Sequence, residues 1–263
     1  METMTMKEVQ AATKELLVQV DALCMDLGIQ YFLIFGSLLG AIRHKGFIPW
    51  DDDLDIGMMA ADYYKLEKYF KNNTGDLELH NQETNPNCFY NIARITEKKH
   101  RFIFPDQQYE SGAFIDIYVF EGLGSDEDLK SWEKRFKHYD KWRKGIYMSV
   151  NPTIMYGSNK LHKILNIPFV LFAKKRGKQF FIDKFNDYKP VDIDESKYIG
   201  IPRWEPTVYE REWFDDLIRV PFEDISVLIP SEYDKILSQE YGEYMQFPPE
   251  EKRRPYHGFI AYK

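Results

Sequence analysis

The chain has 263 residues, of which 44% are hydrophobic and 16% aromatic, enough to form a substantial buried core. Its net charge of −7 argues against general nucleic-acid binding, and its two cysteines are too few for a disulfide framework. The N-terminal stretch is polar and lacks the apolar centre of a secretion signal. The longest apolar run, Ile164 to Ala173, contains Asn166 and Pro168 and is too short to cross a bilayer. We therefore expect a cytoplasmic protein, with peripheral contact at the inner face of the membrane left open.

The first elements in chain order are predicted to be a helix, a buried strand, a short helix and a second strand. Apolar residues recur at helical spacing over residues 6 to 27, and Gly28 stands where a helix commonly ends. The apolar stretch Ile29 to Phe35 reads as a strand, and Leu38 to His44 as a short helix. Pro49 ends the following loop, and Asp53 to Met58 is predicted to be the second strand.

The next elements predict a sheet with helices packed on it. Residues 60 to 71 have a helical pattern, and Phe89 to Ile95 and Ala113 to Phe120 are strand candidates bounded by turn or charged residues. This order is typical of a mixed α/β (α+β) fold with a core sheet and flanking helices.

After these elements a helical stretch interrupts the order of strands and helices, and a further strand and helix follow it. Arg219 to Ile229 is predicted to contain strand, and Ser231 to Tyr241 to form a helix with Ser231 as its N-cap. We divide the chain into a catalytic core, a basic and aromatic helical insertion, and a C-terminal segment that completes the same domain: residues 1–125, 126–190 and 191–263.

The charge is concentrated in the middle of the chain. Residues 129 to 189 contain 15 Lys/Arg and 4 Asp/Glu, a local net charge of +11, which leaves −18 for the remainder. Such a block is either a solvated helical surface or a face for an anionic glycan, a lipid-linked acceptor or a membrane. Lys174, Lys175, Arg176 and Lys178 form its densest cluster.

The stretch most informative about chemistry couples Gly36-Ser37 with the acidic segment Asp51 to Asp55. Glycine has no Cβ, so backbone N–H groups in a Gly-Ser turn can approach a phosphate closely. On a strand, Asp53 and Asp55 would point to one face, about 6.5 Å apart. Two carboxylates beside such a turn are suited to holding Mg²⁺ against a phosphoanhydride. We infer phosphoryl or nucleotidyl transfer, with exposed strand-end carboxylates as the alternative and the roles of Asp51 and Asp52 left open.

Four further side chains are candidates for binding the substrate. Arg43 and Lys45 follow the short helix and could contact phosphate oxygens, or simply form a charged helix end. Arg94 lies in an otherwise apolar strand and could bind phosphate or pair with one of the aspartates. Trp50 adjoins the acidic segment and is either core or a face for a quaternary ammonium group.

Three blocks of the sequence resemble the LicD family, and fukutin and the fukutin-related protein carry a similar first block. The first block runs from Gly36 to Met58, the second from Phe114 to Tyr118, and the third from Tyr241 through Pro249. The resemblance implies a nucleotidyltransferase-type core, in which a Gly-Ser pair and an Asp-x-Asp pair are followed by a third carboxylate on a later strand. That third carboxylate would be Asp116, which lies within an apolar run. The alternative is that Asp116 is an exposed residue of an edge strand.

The resemblance further implies a metal-dependent transferase. Asp53, Asp55 and Asp116 would be its catalytic and metal-binding residues, with Mg²⁺ or Mn²⁺ as cofactor, and Asp116 would accept the proton of the attacking hydroxyl. The expected donor is CDP-choline, and the expected acceptor is a sugar hydroxyl of a glycan, lipid-linked glycan or teichoic acid precursor. The open alternatives are transfer of phosphoethanolamine, an aminoalkylphosphonate, glycerol phosphate or ribitol phosphate, or a catalytically inactive glycan-binding protein.

Overall fold

The structure is a computed structural model that describes residues 2–85, 88, 90–105, 109–151, 153–155, 159–187, 189–202, 204–255 and 258–263; the side chains of residues 133, 135, 138 and 139 are not described. Among these residues the helices are α1 (Met6–Leu27), α2 (Phe35–Arg43), α3 (Ala60–Asn72), α4 (Asp126–Val150), α5 (Lys160–Arg176), α6 (Lys178–Phe185) and α7 (Tyr233–Tyr241). The strands are β1 (Phe32–Leu33), β2 (Asp55–Met59), β3 (Leu77–His80), β4 (Ala93–Glu97), β5 (Arg101–Phe104), β6 (Tyr109–Ser111), β7 (Phe114–Gly124), β8 (Tyr198–Gly200), β9 (Val208–Glu210), β10 (Leu217–Phe222), β11 (Ile225–Pro230) and β12 (Ile260–Tyr262).

The main sheet is mixed and is built around β7. Its strand order is β1-β2-β7-β4-β3, and β2 and β7 are parallel neighbours while the other pairs are antiparallel. The far end of β7 pairs with β8, which pairs in turn with β9, so the C-terminal part of the chain extends the same sheet. All 11 residues of β7 are buried. The mixed α/β fold predicted from the sequence is confirmed.

Local signals explain why α1 begins and ends where it does. The Thr5 side chain accepts a hydrogen bond from the Glu8 backbone N–H while the Glu8 carboxylate accepts one from Thr5, which forms a capping box. Gly28 ends the helix in the left-handed region with φ 61°. The helix buries Leu16, Val20 and Cys24 against the sheet, as the apolar spacing predicts.

The basic stretch between β7 and β8 folds into α4, α5 and α6. These helices share a small core formed by residues such as Ile146, Val170 and Phe181. The Gly145 position is in close contact with the Phe181 ring, so a side chain larger than hydrogen there would push α4 and α6 apart. The prediction of a helical insertion is therefore confirmed.

Several predicted boundaries are wrong. The strand predicted over Ile29 to Phe35 is shorter and consists of β1 only. Ile34 still donates its backbone N–H to the Asp55 carbonyl, but the chain turns at the next residue, Phe35 (φ 50°). Asp53 precedes β2 rather than lying on it. Helix α7 has Glu232 at its N-cap, with no side-chain hydrogen bond, so the Ser231 cap is wrong. The predicted strand 89–95 begins at Phe89, which lies outside the described residues, and β4 starts at Ala93.

Candidate active site

Three aspartates meet where the parallel strands β2 and β7 begin to pair. Asp55 and Asp116 are direct neighbours in the parallel register, and Asp53 lies two residues before Asp55. One carboxylate oxygen from each of the three lies within 4.8 Å of the others. The sheet therefore brings Asp116 next to Asp53 and Asp55, which lie 63 and 61 residues earlier in the chain.

Asp55 lies in surroundings that do not stabilise its charge. Its side chain is buried, and among the described residues its Oδ1 atom has no hydrogen-bond partner. Burial, with the nearby charges of Asp53 and Asp116, raises the pKa of Asp55 well above its ordinary value. A divalent cation would supply both the missing partner and the missing positive charge. The carboxylate set thus fits Mg²⁺ or Mn²⁺.

A second group of carboxylates overlaps the first. Asp51, Asp52 and Asp53 also offer oxygens within 4.8 Å of one another, so Asp53 belongs to both groups. Asp52 is buried, whereas Asp51 and Asp53 are half-buried. The Gln10 side chain donates to the Asp51 backbone carbonyl and so ties this loop to α1.

Arg94 forms a buried, two-pronged ion pair with Asp116. Its Nε donates to Asp116 Oδ1 at 2.6 Å and its Nη2 to Oδ2 at 2.9 Å. Its guanidinium carbon lies 3.7 Å from the ring centroid of Phe114 and 4.8 Å from that of Tyr90. Both pairing partners are nearly inaccessible, with side-chain exposures of 2% and 5%. Of the two alternatives for Arg94, the structure therefore displays pairing with an aspartate.

Gly36 and Ser37 lie in the first turn of α2, beside the acidic segment. A Cβ on Gly36 would come within 2.9 Å of Asp51 Oδ2, so glycine allows that carboxylate to approach the helix closely. The Ser37 Oγ accepts a hydrogen bond of 2.8 Å from the Asp55 backbone N–H. Helix α2 begins without a side-chain N-cap, and the backbone N–H groups of a helix N-terminus are suited to binding an anion such as phosphate. The left-handed residue of this turn is Phe35 rather than Gly36.

The two basic candidates at the C-terminal end of α2, Arg43 and Lys45, have different surroundings. Arg43 Nη1 donates to the backbone carbonyls of Tyr244 (2.8 Å) and Gln246 (3.1 Å), which fastens the C-terminal segment to α2. Lys45 is exposed, and its backbone carbonyl accepts a hydrogen bond from the Glu223 N–H. Arg43 thus holds the C-terminal segment against α2, and Lys45 lies at the surface.

The C-terminal segment contributes residues that the sequence analysis did not select. The guanidinium of Arg253 lies 5.6 Å from the ring centroid of Trp50. Trp50 is half-buried and directly precedes the acidic segment. Tyr241 lies close enough to Asp55 and Asp51 for their charges to raise its pKa, although burial and Glu240 contribute more. The basic run at 252–254, in a part of the chain that is otherwise acidic, is the signal that could have identified Arg253.

An aromatic group adjoins Asp53, Asp55 and Asp116, which together we call the acidic cluster. The Tyr118 ring packs edge-on against Phe35, at a centroid distance of 4.9 Å, and against Trp204, at 5.8 Å. Tyr118 also lies close enough to Asp55 to offset part of the rise in the pKa of that carboxyl, which places this aromatic group beside the carboxylates. Phe35 and Trp204 are half-buried, so both rings keep some access to solvent.

The chain is similar to known proteins, one of them along its full length. Residues 28–153 match the family model described as LicD/FKTN/FKRP, nucleotidyltransferase domain. The chain is 30% identical, over 280 aligned positions, to the lipopolysaccharide cholinephosphotransferase LicD of Haemophilus influenzae, covering 100% of this chain and 99% of that protein. It is 27% identical over 174 residues to an uncharacterized protein of Rickettsia prowazekii, covering 57% of this chain and 58% of that one.

A further match is much shorter. Over 41 residues, 16% of this chain and 8% of the other, it is 49% identical to the human ribitol 5-phosphate transferase FKRP. The similarity to the Haemophilus protein, in contrast, runs along both chains almost from end to end. This chain therefore belongs to the LicD family.

Proposed function

We propose that this protein transfers phosphocholine from CDP-choline to a sugar hydroxyl of a cell-surface glycan or its lipid-linked precursor, in a Mg²⁺-dependent reaction. The observation that carries the proposal is the meeting of Asp53, Asp55 and Asp116 beside the first turn of α2, where one buried oxygen of Asp55 has no hydrogen-bond partner among the described residues. The full-length similarity to a lipopolysaccharide cholinephosphotransferase supports the choice of transferred group.

In this reaction the three aspartates and the first turn of α2 would have separate roles. Asp53, Asp55 and Asp116 would hold Mg²⁺, and the uncapped first turn of α2 would direct backbone N–H groups at the donor phosphates. When bound, Mg²⁺ would supply positive charge to phosphate oxygens as negative charge builds on them. The acceptor oxygen would form a bond to the phosphorus of phosphocholine while the bond to CMP breaks.

The proton released by the acceptor hydroxyl would pass to a carboxylate of the cluster. Asp116 is the least suited of the three to receive it, because both of its oxygens already accept hydrogen bonds from Arg94. We therefore assign Asp116 to metal binding, with Arg94 holding its carboxylate in position.

The surroundings of Trp204 favour a positively charged head group over a neutral one. Aromatic faces attract quaternary ammonium groups, and Trp204 and Tyr118 provide two of them. The next residue, Glu205, has a buried Oε1 without a hydrogen-bond partner within the described part of the chain. Rings and a carboxylate together suit choline better than ribitol or glycerol.

Ribitol phosphate transfer is the second candidate, because of the 41-residue match to FKRP. That match covers only 16% of this chain, so it does not by itself identify the head group. A catalytically inactive glycan-binding protein would have no reason to retain so many mutually repelling carboxylates.

The test offers purified protein a panel of CDP-choline, CDP-ethanolamine, CDP-glycerol and CDP-ribitol, with Mg²⁺ and a glycolipid extract as acceptor. Mass spectrometry follows CMP release and the gain in acceptor mass. We expect CMP to form fastest from CDP-choline and the acceptor to gain one phosphocholine. Asp26→Asn, an exposed position on α1, is the control for preparation effects. Preferential use of CDP-ribitol, or no CMP from any donor, would contradict the proposal.

A further inference from the structure

Helix α5 turns an apolar face to solvent. Leu161, Leu165 and Leu171 are 64%, 64% and 53% exposed, and Ile164 is 51% exposed. Their spacing of three to seven residues places them on one side of the helix, and Phe172, 38% exposed, continues the row. We call this row the α5 outer face.

The opposite side of the helix secures it to the protein. Val170 and Ala173 are fully buried in the small core that α4, α5 and α6 share. The outer face is therefore not required to hold the insertion together. Isolated exposed leucines are ordinary, but a continuous row along one helix marks an interaction surface.

The charged residues of α5 have one sign. Helix α5 contains five Lys/Arg residues and no Asp/Glu, and Lys160, Lys175 and Arg176 are exposed. Two lysines of the cluster identified from the sequence are directed inward instead. Lys174 donates to the Asn151 carbonyl, and Lys178 donates to the carbonyl of Gln82 among others. The cations available to a partner thus lie at the two ends of the apolar row.

We propose that the α5 outer face docks on the surface of an anionic lipid bilayer. An apolar row with cations at its ends matches a membrane interface, where leucines enter the acyl boundary and lysines meet anionic headgroups. No helix in the described ranges is long and apolar enough to span a membrane. The helix would therefore lie in the plane of the interface, with about 5–10 Å of its apolar side immersed.

A second copy of the chain is a poorer occupant. Pairing the face with itself would bring together two regions that each carry a net charge of +11. A bilayer rich in anionic lipid presents the opposite charge over an area larger than the whole face. Charge complementarity therefore selects the bilayer.

The insertion that carries this face also reaches the candidate active site. Arg143 on α4 donates to the backbone carbonyl of Trp204, whose ring packs on Tyr118 beside the acidic cluster. Docking would therefore bring the site to the membrane, where a lipid-linked acceptor resides. The docking surface goes beyond the proposed function and does not depend on it.

The test is co-sedimentation of the full chain with vesicles of phosphatidylcholine alone or with 30% phosphatidylglycerol added. We expect binding to the anionic vesicles and little to the neutral ones. Raising salt from 0.1 M to 1 M should release the protein, because the Debye length falls from about 10 Å to about 3 Å.

Two variants separate the apolar and electrostatic parts. Leu161→Gln with Leu165→Gln, and Lys160→Gln with Lys175→Gln, should each weaken binding at least tenfold with the melting temperature unchanged, because all four side chains are exposed. Val18→Gln and Lys68→Gln, exposed on α1 and α3, are the matched controls. CMP release from a CDP donor should be the same in all of them, which separates failure of this inference from failure of the proposed function.

Three results would overturn the inference. They are equal binding to neutral vesicles, undiminished binding of the leucine and lysine variants, and absence of binding to either vesicle. A concentration-dependent dimer that the leucine variant abolishes would instead assign the face to a second copy.

Discussion

Asp116 illustrates how a single residue connects the sheet to the chemistry. Its neighbour in parallel register is Asp55, and its antiparallel neighbour is Arg94, so pairing of β7 on both sides places an anion and a cation next to it. The ion pair with Arg94 compensates the charge of Asp116, whereas among the described residues Oδ1 of Asp55 has no hydrogen-bond partner. From the sequence, pairing of Arg94 with an aspartate was one of two alternatives, because the register between strands is set by contacts between distant parts of the chain.

Loss of charge at the aspartates should remove activity without removing the fold. Asp53→Asn and Asp55→Asn each keep the shape of the side chain but lose a metal ligand, so transfer should fall below detection. Thermal unfolding without metal should be unchanged or shifted upward, because like-charge repulsion is relieved. A variant that turns over near the wild-type rate with Mg²⁺ present would show that the residue is not a ligand.

Replacing Arg94 by Lys should weaken metal binding. Lysine keeps the charge but cannot donate two parallel hydrogen bonds to Asp116, and loss of such a supporting partner typically lowers metal affinity or activity about 10–100-fold. Calorimetric titration with Mn²⁺ measures the effect independently of turnover.

The control for that variant is Arg101→Lys, because Arg101 forms a bidentate pair with Glu110 at the surface. Because this pair is exposed to solvent, the variant should keep the wild-type melting temperature and the wild-type metal affinity. Equal Mn²⁺ affinity in Arg94→Lys and wild type would remove the positioning role.

Trp204→Leu should change donor preference rather than eliminate turnover. Leucine fills space but has no aromatic face, and a cation–π contact is worth about 0.5–2 kcal/mol. Use of CDP-choline should therefore drop about 2- to 30-fold in kcat/KM, while use of CDP-glycerol stays the same. Trp213→Leu, whose ring lies near Lys235, is the control. A parallel fall for both donors would place Trp204 outside the head-group site.

At the scale of elements, α2 and the loop after it form one packed unit. The Gly40 position approaches the Gly46 carbonyl so closely that a Cβ would come within 2.5 Å of that oxygen. This contact keeps the loop that leads to the acidic segment against α2. Local patterns predicted α1 and α3 well, because capping and apolar spacing act within a few turns. They failed at β1 and at the start of α7, where long-range contacts decide the boundary.

Gly40→Ala should destabilise the protein by about 1–3 kcal/mol, because the clash is with backbone and cannot be relieved by rotating a side chain. Urea unfolding measures the change. Gly75→Ala is the control, because no atom lies within 4 Å of its Cβ position, and it should stay within about 0.5 kcal/mol of wild type. Similar midpoints for the two variants would contradict the packing role of Gly40.

At the scale of the whole molecule, the acidic and basic parts of the sequence lie on different elements of the fold. The acidic cluster lies where β2 and β7 begin, whereas α4, α5 and α6 together carry an excess of Lys and Arg over Asp and Glu. Composition predicted that separation but not which lysines face outward. Inward hydrogen bonds of Lys174 and Lys178 depend on loops that are distant in the sequence. The roles of the site residues remain predictions, which the variants above address.

The central claim is that the three aspartates form a metal-dependent site for a CDP-linked donor. Calorimetric titration of the protein with CDP-choline, in the presence of Mg²⁺ and again in excess EDTA, tests it most directly. We predict saturable one-to-one binding with Mg²⁺, none with EDTA, and none for Asp55→Asn under either condition. Equal affinity with and without Mg²⁺, or unaltered affinity in Asp55→Asn, would contradict the account.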